Sequence, residues 1–117
     1  MTLSLKTIEM LTSLAESSGV LRSSVQWGDR ITIVTANSVY TLIAAENDSF
    51  IVTGGWFERQ SASPAVVKVV GCTFGGAVVN RKLIGAPGLH LELGNRLVTT
   101  KIQQVIHERF APSELAN

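Results

Sequence analysis

One cysteine in 117 residues rules out an internal disulfide and leaves at most one soft ligand for a metal. Charge is scarce as well. Asp, Glu, Lys and Arg make up 16% of the chain, against about 25% in an average soluble domain. The net charge is +1, and of the ten basic residues only Arg81 and Lys82 are adjacent. No basic stripe exists that could follow a phosphate backbone, so no nucleic-acid partner is expected. Long apolar runs are also missing: the richest stretch, 65–79, is broken by Lys68 and three glycines and falls short of the ~20 residues that span a bilayer. No membrane span is expected. Lys6 and Glu9 interrupt the region where a secretory leader would need a clean apolar core, which points to a cytoplasmic protein. In that compartment Asn47-Asp48-Ser49 reads as a turn rather than a glycosylation acceptor.

Apolar side chains, by contrast, are plentiful at 45% without counting ten glycines. A chain of this length fits one domain over 1–117 and buries about two thirds of its unfolded surface. With few charges to cover the remainder, apolar groups are left on the outside, and a soluble protein commonly hides such groups against another copy of itself. Self-association is the first expectation. A two-fold dimer is the commonest closed form.

Residues 4–17 place Ile8, Met10, Leu11, Leu14 and Ala15 on one arc of a helical wheel, with Lys6, Glu9, Thr12, Ser13 and Glu16 opposite. This is an amphipathic helix, capped by Thr2 or Ser4, stopped by a left-handed Gly19, and docked on the rest of the domain. After Gly19 the period changes from 3.6 to 2.0. Strands are expected over 22–27, 30–35, 39–45, 50–53, 65–72, 82–84, 89–93, 96–100 and 102–107, each short and rich in Val, Ile, Thr or aromatic residues. Between them, Trp27-Gly28-Asp29, Ala36-Asn37-Ser38, Glu46-Asn47-Asp48 and Leu93-Gly94-Asn95 supply hairpin chemistry. The expected fold is mainly β, a small antiparallel barrel or sandwich over 22–107 with one N-terminal amphipathic helix and a tail at 111–117.

Four features could carry chemistry. Gly71-Cys72-Thr73-Phe74-Gly75-Gly76 lacks the spacing of a phosphate loop, so its glycines read as a bulge or tight bend. Cys72 as a nucleophile would need His90 or His107 beside it, whereas a lone cysteine is most often a small buried hydrophobe. His90 and Glu92 share a strand face and could begin a metal site with Cys72, yet the cysteine pair that accompanies H-x-E in zinc deaminases is missing. Trp56 and Phe57, after Gly54-Gly55, could stack on bases, but Arg59 is the only basic neighbour, and core or subunit packing explains them as well.

Asn37-Ser38-Val39-Tyr40, Gly71-Cys72-Thr73-Phe74-Gly75-Gly76 and the Thr99-Thr100 pair resemble the pattern of a set of small bacterial proteins of unknown function. The likeness covers roughly residues 30 to 107. It implies a single β domain and brings no site residues with it.

Two functions remain in view. The first is a non-enzymatic intracellular module that self-associates, without cofactor, through apolar groups of the helix or of Trp56-Phe57. The second is a small-molecule or metal-binding protein or enzyme in which His90, Glu92 and Cys72 converge.

Overall fold

The computed structural model describes residues 5–75 and 78–110. Helix α1 (Leu5–Ser18) leads into β1 (Val20–Leu21), a 3-10 turn at Arg22–Ser24, and then β2 (Arg30–Thr35), β3 (Val39–Ala44) and β4 (Ser49–Gly54). A short helix α2 (Gly55–Arg59) precedes β5 (Ala65–Thr73), β6 (Val79–Asn80), β7 (Leu83–Gly85), β8 (His90–Leu93) and β9 (Val98–Glu108). Strands β2, β3, β4, β5, β8 and β9 pair antiparallel in that order, and β9 returns to β2, so six strands close a barrel. The alternative of a sandwich is thereby settled in favour of the barrel. Closure leaves no free edge along the ring, which is how a small sheet of short strands avoids open backbone.

Alternation builds the interior. Ile31, Ile33 and Thr35 of β2 point inward, and in register they meet Leu42 and Tyr40 of β3. Leu42 in turn meets Val52, while Leu91 and Leu93 of β8 face the same core. Leu83, Ile84 and Ala86 are fully buried, so β7 and the residue after it pass through the core rather than over the surface. Each buried Leu, Ile or Val side chain contributes about 1.5–3 kcal/mol by leaving water.

Gly71 answers the question raised by the glycine-rich stretch. The register of β5 against β8 slips between Val69 and Gly71, which marks a bulge. Gly71 sits there at φ +153°, and a Cβ on it would lie 2.3 Å from the carbonyl oxygen of Asn80. Only glycine lets β6 come this close.

Several boundaries differ from expectation. The strand expected over 22–27 is a 3-10 turn instead, because Arg22 turns its side chain into the body and the serines after it favour local backbone bonds. The two strands expected over 96–100 and 102–107 are one, carrying a bulge where Gln104 faces Val34 and Ile102 faces Thr35. Gly19 does not stop α1 through a left-handed conformation. Its constraint is close approach, since a Cβ would lie 2.5 Å from the oxygen of Gly85 and 2.7 Å from Ala86. The caps expected at Thr2 or Ser4 and the tail expected over 111–117 lie outside the described residues.

Candidate interaction surface

Two polar clusters lie in the body, and both fasten the fold. Asp29, 1% exposed, ends the turn before β2. Its Oδ2 accepts from the amide of Gln26 (2.9 Å), His107 Nε2 (2.8 Å) and Arg109 Nη1 (2.9 Å), and its Oδ1 from the amide of Phe110 (3.0 Å). Burial raises the carboxyl pKa, but the Gln26 and Phe110 amides, then His107 and Arg109, outweigh it and hold the group well below the usual carboxylate range. A carboxylate with four donors on it is satisfied rather than poised. It ties the beginning of β2 to the end of β9.

Arg22 performs the same role on the other side. Its Nε donates to the carbonyl of Arg81 (2.9 Å), Nη1 to both oxygens of Asp48 (3.0 Å each), and Nη2 to the carbonyls of Val69 (2.7 Å) and Val70 (3.3 Å). Those last two carbonyls flank the β5 bulge, where the ladder gives up a partner and a donor must replace it. Neither cluster was visible in the sequence. Asp29 and His107 stand 78 positions apart, Arg22 and Asp48 stand 26 apart, and no local pattern links them.

The residues singled out from the sequence are scattered. Cys72 pairs in register with Leu91 and points into the core, whereas His90 and Glu92 occupy the outward positions of β8. The three do not converge. Burial pushes the Cys72 thiol up to about 12, against the opposing pull of an Ala86 backbone hydrogen bond and the Arg22 charge, so the thiolate that a nucleophile or ligand requires is suppressed. His90 donates from Nδ1 to the carbonyl of Thr99 (2.8 Å), leaving Nε2 toward the Gly75 turn. No group of three or more His, Cys, Asp or Glu side chains among the described residues could hold a metal ion. Phe57 is 1% exposed and stacks edge-on with Tyr40 and Trp56 at 6.3 and 5.2 Å. Of the two packing roles expected for Trp56-Phe57, the core role holds for Phe57. Phe57 belongs to the core, and Trp56 is half-buried against it.

What the barrel leaves open is its outer wall across β9, β2, β3, β4 and β5. In register, one row runs Glu108, Arg30, Ile43, Ile51, Val66, the next Ile106, Thr32, Thr41, Thr53, and a third Gln104, Val34, Val39. Arg30 and Glu108 face each other at one corner, and Lys68 follows Val66 on the outward face of β5; the other members of the three rows are uncharged, and nearly all are β-branched. Val66 is 70% exposed, Val39 51%, Ile106 41% and Ile51 38%. Exposed apolar groups gathered in one patch, rather than scattered singly, mark an interaction surface. Sequence reasoning missed it because Val, Ile and Thr occupy both faces of these strands, so alternation alone did not say which face was wet. No helix among the described residues is long and apolar enough to cross a membrane. No family model, curated protein or solved structure matches the chain.

Proposed function

We propose that this protein is a non-enzymatic, self-associating module of the bacterial cytoplasm whose contact surface is the outer wall of β9, β2, β3, β4 and β5. The observation that carries this reading is the composition of that wall: three cross-strand rows made mostly of Val, Ile and Thr, with Arg30 and Glu108 at one corner and Lys68 beside Val66 at the other. The low overall charge of the chain supports it, since no ring of Lys or Glu guards the sheet against contact. The polar groups best suited to chemistry are consumed in fastening the barrel. A closed dimer accounts for the exposed aliphatic side chains with the smallest assembly.

The test is the mass in solution. Light scattering at tens of micromolar protein should give twice the 12.5 kDa chain mass. Ile51→Lys, in the apolar row between Ile43 and Val66, should return it to the chain mass while leaving the circular dichroism spectrum and unfolding temperature near those of the wild type. A wild-type mass fixed at one chain over a hundredfold range of concentration refutes the proposal.

A further inference from the structure

Between the C-terminal half of α1 and the turn that joins β6 to β7 lies a cavity of about 640 Å³, lined by Glu16, Leu21, Arg22, Ser23, Arg81 and Lys82. Small-molecule sites span about 300–1,000 Å³. The walls of this cavity are tied to one another. Asn80 Nδ2 donates to Glu16 Oε1 (3.3 Å), which joins the turn to the helix. The amide of Arg22 donates to the carbonyl of Lys82 (2.7 Å), and its Nε to the carbonyl of Arg81 (2.9 Å), which joins the turn to the segment after β1. Within the turn the amide of Lys82 donates to Asn80 Oδ1 (3.0 Å). The turn is thus held by its backbone and by Asn80, and the side chains of Arg81 and Lys82 take no part in fastening it.

Those two residues are the one adjacent basic pair of the chain. Among the described residues neither has a carboxylate partner, whereas the Arg22 charge is met by Asp48. Glu16 is the one carboxylate in the lining, and it already accepts from Asn80. Leu21 is half-buried and gives the lining its apolar part. We propose that this cavity binds a phosphate monoester with a compact apolar body. A phosphate monoester carries a charge of about −1.5 to −2 at pH 7, which two unpaired cations match. Arginine grips phosphate with paired N–H groups and lysine adds a point charge. Glu16 sets the orientation, because its carboxylate repels the anion toward the turn and leaves the apolar body over Leu21. The site does not depend on the self-association proposed above.

Phenyl phosphate is the probe, titrated into the full chain and followed by the NMR shifts of backbone amides. Leu21, Arg22, Ser23, Arg81 and Lys82 should shift together and saturate, with half-saturation at about a few millimolar for a ligand this small. Inorganic phosphate and phenol each carry only part of the recognised group and should bind at least tenfold more weakly. Arg81→Ala and Lys82→Ala should each weaken phenyl phosphate about three- to tenfold while leaving the unfolding temperature unchanged, since the bonds that hold the turn use backbone atoms. Glu16→Gln keeps an oxygen for Asn80, removes the negative charge and should tighten binding a fewfold. No saturable shift at tenfold the expected half-saturation, or equal binding after both cations are removed, overturns the site. Inorganic phosphate that binds as tightly as the ester overturns the apolar body, and Glu16→Gln that weakens binding overturns the anion.

Discussion

Replacing Asp29 with asparagine keeps the shape of the side chain and removes its charge, which isolates what the carboxylate does. Three donors converge on Oδ2 and one on Oδ1. The side-chain amide introduced by Asp29→Asn can keep its oxygen on the side of the three donors only by turning its NH2 group onto the backbone amide of Phe110. One bond is then lost, a partly buried N–H is left facing another donor, and the remaining bonds lose their charge assistance. Bonds to a charged group contribute about 1.5–3 kcal/mol each, and an orphaned buried donor costs about 1–3 kcal/mol. Arg109 is half exposed, so water screens its share. Asp29→Asn should therefore cost about 2–4 kcal/mol at pH 7, seen in urea unfolding and as a fall of roughly 10 °C in melting temperature. The pH dependence has a definite sign. Because the folded pKa lies below the ordinary value of 3.8, the contribution is fully present above that value and is lost as pH falls through the folded pKa. The gap between wild type and variant should be complete at about pH 5 and above and should narrow below about pH 4. A cost under about 1 kcal/mol, or a gap that widens on acidification, would refute the fastening role.

Arg22→Lys should cost about 2–3 kcal/mol in the same unfolding assay, because one ammonium cannot serve Arg81, Asp48 and the two bulge carbonyls together. Asp48→Ala should cost no more than about 1 kcal/mol, since Asp48 is an exposed partner, and equal losses from the two variants would show that the bulge carbonyls do not need Arg22. Gly71→Ala should lose more than about 2 kcal/mol, or fail to yield folded protein, and a variant as stable as the wild type would mean that β6 does not approach β5 so closely. The Cys72 thiol should react with a disulfide reagent at pH 8 on the order of a thousandfold more slowly than in urea-unfolded chain, as its pKa is pushed up to about 12. Labelling at the unfolded rate would place Cys72 outside the core.

The residues that declare themselves in the sequence are those whose fate is decided locally. Ile31, Ile33, Leu42, Val52, Leu91 and Leu93 alternate with their neighbours in the pattern that a half-buried strand demands, and each is buried. The turn at Asn47-Asp48 is equally local, with both residues at positive φ. Barrel closure is different in kind, because it depends on β9 pairing with β2 from the other end of the sheet-forming sequence, and periodicity within a window cannot express that. The break expected at Lys101 has the same origin. A bulge and a strand end look alike in sequence, and only the partner strand distinguishes them. Phe57 escapes sequence reasoning because α2 is too short to have a period, so nothing indicates which of two adjacent aromatics turns inward.

The fold also restricts how association can occur. Strand addition, the simplest way for a β-protein to join another chain, needs an unpaired edge, and the six barrel strands have used theirs on one another. Among the described residues the short strands β1, β6 and β7 offer edges only two or three residues long, too little for a stable ladder. The self-association proposed above is therefore expected to run through side chains on a face. A face contact depends on which residues stand outward at each register position, so single substitutions such as Ile51→Lys can switch it off without touching the core. On the self-association proposed above, the same closure would keep the assembly finite. With the edges sealed, a wall of Val, Ile and Thr that would template open-ended strand pairing in a flat sheet can instead be covered once, by one partner.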